Sequence, residues 1–97
     1  MIRHTVTFRL VHPEGCAAET AFLEAARELA GISGVQRFEQ LRQVGAGTDF
    51  TFGFSMEFAD AAAYAVYDND PTHVAFVAQR WVPEVADFLE LDYEPLR

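Results

Sequence analysis

The sequence has no lysine, only one cysteine (Cys16) and no apolar run of membrane-spanning length. Without lysine, Schiff-base chemistry on a side-chain amine is excluded. A single cysteine excludes an internal disulfide and a zinc site built from several cysteines. A membrane helix needs about 20 consecutive apolar residues, and the first residues lack the apolar core of a signal peptide. We therefore expect a cytoplasmic protein with no membrane partner.

Positive charge is also scarce. The chain has seven arginines and 15 acidic residues, so its formal net charge is −8 at pH 7. The arginines are scattered along the chain and form no basic cluster. Nucleic-acid binding needs a positive patch that neutralises phosphates. The composition therefore excludes nucleic acid as the expected partner, and the acidic surface mainly favours solubility.

The length and hydrophobicity of the chain predict one globular domain over residues 1–97. Half of the residues, 51%, are hydrophobic, which argues against disorder. A domain of 97 residues buries only a small core and is marginally stable. Association with a second copy would add to that stability.

The strongest pattern is the strict alternation of apolar and small polar residues over residues 50–58, FTFGFSMEF. Side chains alternate across a strand, so this stretch predicts one aromatic face and one polar face. Residues 2–11 alternate in the same way, with His4 as the exception on the apolar face. The apolar faces need a cover of amphipathic helices. The polar faces suit open solvent or a second sheet, and we expect two copies to pack sheet against sheet.

Helical periodicity and boundary residues predict the other elements. Gly31, Asp60 and Pro83 are expected to mark helix ends or caps, and Asp70-Pro71 a helix start. The predicted elements are a helix over 17–30, a weaker strand over 35–44, a short helix over 61–67, a helix over 71–82 and a last strand over 88–94. The resulting β-α-β-β-α-β order, with the second helix split at Pro71, is the ferredoxin-like α+β arrangement.

Three segments are informative together: MIRHTVTF at residues 1–8, YDNDPTHV at residues 67–74 and LDYEP at residues 91–95. They resemble the stress-responsive A/B barrel, or Dabb, domain family. The most specific part is the Tyr-x-x-x-Pro-x-His-Val pattern together with His4 on the first strand. The resemblance covers essentially the whole chain and implies a homodimeric α+β barrel.

The same resemblance also implies an activity, because polyketide cyclases of this family catalyse an intramolecular aldol condensation without a cofactor. Four residues of this chain match positions in the site of those cyclases. His4 and His73 occupy the positions of their working histidines, Tyr67 that of a pocket tyrosine and Asp92 that of an aspartate on the last strand. We expect His73 to act as the base with Asp92 as its orienter, while His4 and Tyr67 polarise a carbonyl group. In the alternative interpretation, His4 is a core histidine and His73 and Asp92 fasten helix to sheet.

A cleft between helices and sheet is expected to bind a small, partly apolar ligand against Phe8, Phe52, Phe54 and Trp81. No metal ion and no cofactor is expected. Two other functions stay open at this point. One is a non-catalytic stress-responsive or structural dimer whose cleft is packed solid. The other is a cofactor-independent monooxygenase, a class that shares the dimeric barrel.

Overall fold

A four-stranded antiparallel sheet with helices on one face forms the fold in the computed structural model, which describes residues 1–97. The strand order is β2-β3-β1-β4, which confirms the ferredoxin-like prediction. In chain order the elements are β1 (Ile2–Leu10), α1 (Ala17–Ala26), β2 (Gln36–Arg42), β3 (Phe52–Phe58), α2 (Ala61–Asn69), α3 (Pro71–Phe76) and β4 (Val85–Tyr93). None of the helices has the length and hydropathy needed to cross a bilayer.

The helices differ from the predicted ones mainly at their C-terminal ends. The first regular helix ends at Ala26, and the chain continues as a 3-10 helix over Arg27–Gly31. After α3 the chain widens into a π-helical turn over Val77–Trp81 and then makes a last turn over Val82–Glu84. Pro83 in that last turn has no N–H to donate to the preceding turn, which is consistent with the loss of the regular pattern just before it.

The alternation of β1 and β3 places their apolar side chains on the face under the helices. The two strands pair in register, with Val6 opposite Phe54 and Phe8 opposite Phe52. Phe8 is fully buried, and its ring centroid lies 4.8 Å from that of Phe54 and 5.0 Å from that of Trp81. Aromatic pairs at these separations add to the stabilisation from burial alone. The aromatic side chains of the two strands thus anchor the helix layer.

The last strand pairs with β1 and brings the end of the chain next to its beginning. His4 lies directly opposite Asp92, and Val6 lies opposite Glu90. Directly opposed residues of antiparallel strands project on the same face. Asp92 and Glu90 therefore lie on the helix-covered face although β4 is an edge strand.

Two aspartates start the helices that follow β3, as the sequence predicts. The Asp60 carboxylate accepts a hydrogen bond from the Ala63 N–H at 2.8 Å, and the Asp70 carboxylate accepts one from the Thr72 N–H at 2.8 Å. Each bond satisfies a backbone donor in the first turn, which has no partner inside the helix. The Asp70 cap fixes the start of the short helix that carries His73.

We expect Asp70→Ala to lower the free energy of unfolding by about 1 kcal/mol, because the first-turn N–H loses its acceptor. Urea unfolding at one fixed protein concentration measures the change. Asp70→Asn is the matched control, since its amide oxygen still accepts this bond and stability should stay near that of the parent. Equal losses in both variants would show that the carboxylate charge, rather than the cap, is what matters.

Candidate functional site

A cavity of about 470 Å³ lies between the sheet and the helices α2 and α3. That volume is typical of small-ligand sites. Eleven of its 15 lining residues are hydrophobic, which favours a partly apolar ligand. The lining residues are His4, Val6, Leu29, Phe54, Met56, Tyr67, Asp68, His73, Phe76, Val77, Trp81, Val82, Val85, Phe88 and Glu90.

His4 and Asp92 form the shortest polar contact at this site. His4 Nδ1 lies 2.6 Å from Asp92 Oδ1, and the two residues are opposite each other on β1 and β4. His4 is 6% exposed, whereas the Asp92 side chain at the edge of the sheet is 39% exposed. A carboxylate only accepts hydrogen bonds, so the contact requires a proton on Nδ1 of His4.

Tyr64 on α2 contacts both members of this pair. Its hydroxyl lies 2.8 Å from His4 Nδ1 and donates to Asp92 Oδ2 at 3.0 Å. Burial, together with the hydrogen bond to Asp92 and the charge of that residue, raises the pKa of the Tyr64 hydroxyl. The hydroxyl therefore stays protonated at neutral pH and holds the carboxylate in place.

The second ring nitrogen of His4, Nε2, makes no hydrogen bond to the protein, and His4 lines the cavity. Although it has no protein partner, Nε2 remains accessible to solvent. With the proton held on Nδ1, neutral His4 presents the lone pair of Nε2. A histidine oriented by a carboxylate in this way is arranged as a general base.

His73 and Tyr67 form a second polar group in the cavity wall. The two rings lie 4.4 Å apart between centroids, and His73 Nδ1 donates to the backbone carbonyl of Asp68 at 3.1 Å. This bond again leaves Nε2 without a protein partner. Tyr67 is 2% exposed and its hydroxyl makes no hydrogen bond within the protein, yet the oxygen is not sealed from solvent. The hydroxyl is therefore free to donate to a ligand.

Two carboxylates, Asp68 on α2 and Glu90 on β4, also line the cavity. Burial raises the pKa of the Tyr67 hydroxyl, and the negative charges of Asp68 and Glu90 raise it further. Tyr67 is consequently a donor over the whole physiological pH range. No group of three or more His, Cys, Asp or Glu side chains is placed to hold a metal ion.

The structure brings together His4, Tyr67 and His73 at the cavity but gives Asp92 a different partner from the expected one. Asp92 does not orient His73, as expected, but contacts His4, because the β1–β4 register makes His4 and Asp92 direct partners. His73 instead contacts a backbone carbonyl at the end of α2.

The expected aromatic wall of the cavity also needs correction. Phe54 and Trp81 line the cavity, whereas Phe8 and Phe52 do not. Phe8 is fully buried and Phe52 is 4% exposed. Phe8 packs against Phe54 and Trp81 and so supports the wall from behind. Phe52 packs against Phe8, with the Arg42 guanidinium over its ring.

Sequence reasoning missed the roles of Tyr64, Asp68 and Glu90. Tyr64 lies three residues before Tyr67 on the same helix, so shared placement near the site follows from helical spacing. Glu90 lies two residues before Asp92, and strand alternation places both on one face. These two signals were available in the sequence. Asp68 lies in the last turn of α2, and its place in the cavity wall depends on how that helix packs against the sheet, which spacing alone does not specify.

The raised pKa of the two tyrosines predicts a loss of stability in alkali. Unfolded tyrosine ionises near pH 10, at about its ordinary pKa. Because the folded-state pKa is higher for Tyr64 and Tyr67, the unfolded chain releases protons first, and the free energy of unfolding falls as pH rises above about 10. Urea unfolding between about pH 8.5 and 11.5 measures the slope.

Replacing both hydroxyls, in the Tyr64→Phe/Tyr67→Phe double variant, should flatten that slope. The chain has no lysine, so no lysine titration overlaps with this range. A slope that is unchanged in the double variant would contradict the raised pKa values.

Comparison with known proteins bears on this fold and site. Among solved structures, a Dabb family protein with a ferredoxin-like fold from Mesorhizobium loti is 57% identical to the chain. The match covers 99% of this chain and 97% of that one, with a TM-score of 0.98. No functionally curated protein matches the chain.

More distant structures share the fold alone. A dimeric ferredoxin-like protein of unknown function from Thermobifida fusca is 21% identical, with 97% of this chain and 90% of that one covered and a TM-score of 0.80. A hydroxynitrile lyase from Passiflora edulis is 17% identical, with 95% and 90% covered and a TM-score of 0.82. The family model described as the stress responsive A/B barrel domain matches residues 2–95. The chain therefore belongs to the stress-responsive A/B barrel, or Dabb, domain family.

Proposed function

We propose that the cavity binds a small, partly apolar carbonyl compound and that His4 catalyses a cofactor-free proton transfer on it. The observation that carries this proposal is the Asp92–His4 contact of 2.6 Å, which leaves His4 Nε2 as an unpaired acceptor in a largely apolar cavity. A purely structural histidine in the core generally has both nitrogens paired.

In the proposed reaction, His4 Nε2 removes a proton from the carbon next to the ligand carbonyl. The C–H electron pair becomes the π-bond of an enolate, and negative charge develops on the carbonyl oxygen. Tyr67 donates its O–H to that oxygen, and Asp92 stabilises the imidazolium that forms on His4. Return of the proton to carbon completes an exchange. Alternatively, the enolate carbon adds to a second carbonyl group of the same molecule, and the alkoxide that forms takes back the proton from His4 to give an aldol product.

His73 has a different part in this proposal from the one expected from the sequence. Its Nδ1 proton is held by the Asp68 carbonyl, and no carboxylate contacts its ring. We assign it as an acceptor for a ligand hydroxyl, which would fix the orientation of the ligand relative to His4. Contact between the rings of His73 and Tyr67, 4.4 Å apart, keeps the donor and the acceptor side by side.

Deuterium exchange tests this proposal without knowledge of the natural substrate. Phenylacetone is small, uncharged and partly apolar, and its methylene protons exchange through an enolate. We expect the protein to accelerate their exchange in D₂O, measured by proton NMR, and His4→Gln to lose about 100-fold or more of that acceleration, the usual share of a general base. Asp92→Asn should also slow exchange, because His4 loses its carboxylate partner.

His12→Gln is the matched control, because His12 lies outside the cavity, where it contacts Glu84 at 2.7 Å. Its exchange rate should equal that of the parent. Thermal melting of each variant separates loss of catalysis from loss of the fold. Exchange at the background rate in the parent protein, with phenylacetone bound, would overturn the catalytic proposal and leave a cavity that only binds its ligand.

We also infer that the chain forms a homodimer through the sheet face that the helices leave uncovered. Leu89, Leu91 and Tyr93 of β4 project on this face, and each is 46% to 52% exposed. On the neighbouring strand β1, Thr5 and Thr7 lie directly opposite Leu91 and Leu89 and contribute short side chains to the same face. Apolar residues and small side chains allow close approach of a second sheet.

Charged side chains lie at one end of this face. Glu57 contacts Arg3 at 3.2 Å and Arg37 at 3.9 Å. A neutral, partly apolar centre with charge at its rim is the usual composition of a protein interface. The dimeric description of the Thermobifida fusca neighbour agrees with this inference.

We expect light scattering at micromolar concentration to give twice the monomer mass, and Leu91→Glu to give the monomer mass, because it places a charge in the centre of the interface. Val66→Glu is the matched control, since Val66 is 59% exposed on α2 and away from the sheet. A parent protein that is monomeric at this concentration would overturn the inference.

A further inference from the structure

We propose that Asp68 and Glu90 make the cavity selective for uncharged or cationic ligands and exclude anionic ones. This inference rests on the proposed ligand-binding function of the cavity. It adds the charge class of the ligand and two specificity-determining residues that do not take part in the proposed proton transfer.

The first observation is the charge balance of the cavity wall. Asp68 and Glu90 line the cavity from α2 and β4, and no arginine lines it. Neither carboxylate belongs to an ion pair, since the salt bridges of the protein involve other acidic residues. Their charge is therefore not neutralised by a neighbouring side chain. A ligand carboxylate or phosphate would enter a negative field with no counter-charge.

The second observation is the shortage of hydrogen-bond donors, which is independent of the two carboxylates. His4 and His73 both hold their Nδ1 proton toward the protein, so in the neutral form each offers a lone pair to the cavity. The donors that remain in the wall are the Tyr67 hydroxyl and the indole N–H of Trp81, neither of which has a protein partner. Anions require several donors, whereas this wall consists mainly of acceptors. The pattern matches an uncharged or cationic ligand that carries hydroxyl or ammonium donors and a carbonyl oxygen.

The position of Asp68 supports a role other than stabilising the helix. It lies in the last turn of α2, which ends at Asn69. Negative charge at a helix C-terminus is unfavourable because the backbone carbonyls there already carry partial negative charge. The same end of the helix therefore adds to the field that a bound anion would meet.

Three compounds of matched shape test the inference: 3-phenylpropan-1-ol, 3-phenylpropanoate and 3-phenylpropylammonium. Binding is measured by NMR titration of the intact protein at low salt and about pH 8.5, above the ordinary titration range of imidazole. We expect the alcohol and the ammonium compound to bind, and the carboxylate to bind at least about tenfold more weakly than the alcohol, because two like charges face it.

The Asp68→Asn/Glu90→Gln double variant should reduce this difference to about threefold or less, since the field is removed while the shape of the wall is kept. Glu28→Gln is the matched control, because Glu28 is exposed, forms no salt bridge and does not line the cavity. It changes the net charge of the protein but should leave the tenfold difference in place.

Equal binding of the carboxylate and the alcohol to the parent protein would overturn the inference. So would a difference that persists in the double variant. If none of the three compounds perturbs the resonances of the cavity residues, ligand binding itself fails and the charge selectivity fails with it. If the charge ranking holds while phenylacetone exchange stays at background, only the catalytic proposal is lost.

Discussion

The antiparallel pairing of β1 with β4 is the constraint on which the candidate site depends. It makes His4 and Asp92, which are 88 positions apart in the chain, direct neighbours at 2.6 Å. The same register places Glu90 opposite Val6, within the cavity wall. A shift of one residue would move the side chains of β4 to the other face of the sheet. His4 would then lose its carboxylate partner, and the cavity would lose its acidic wall.

The aromatic face of the sheet provides the rigidity that this arrangement needs. Around Phe8 the rings of four other residues lie within 6 Å, between centroids, and the packing leaves no space for a ligand there. Further along the same face, the side chains leave a space between the sheet and the helices α2 and α3, and this space is the cavity. The π-helical turn contributes Val77 and Trp81 to its wall. One sheet face thus carries both the core and the site.

The polar groups of the site divide into those paired within the protein and those left for a ligand. Asp92, Tyr64 and Nδ1 of His4 satisfy one another. The Tyr67 hydroxyl and the two Nε2 atoms of His4 and His73 have no protein partner. None of these atoms is sealed from solvent, so each is available to a ligand that enters the cavity. The distribution of donors and acceptors also suggests which ligands the cavity accepts.

Much of the fold follows from local pattern, because strand alternation and helix caps act over a few residues. The alternation around Phe54 predicted its strand and the buried face, and the Asp60 and Asp70 caps predicted the starts of two helices; the structure confirms both. The ends of the helices were less well predicted. The change to 3-10 geometry after Ala26 and the π-helical turn before Pro83 depend on packing against the sheet, which local propensity does not include.

The sequence by itself determined the elements and faces on which the candidate site residues lie, because strand alternation places His4 on the apolar face of the first strand and the Pro-x-His segment places His73 in the first turn of a helix. Only the tertiary structure decided how they are paired. Asp92 contacts His4 rather than His73, and Phe8 belongs to the core rather than to the cavity wall. The physical reason is that strand register and helix packing act between distant parts of the chain. Side-chain spacing within one element determines the face on which a residue lies, but the partner on that face depends on the assembled sheet.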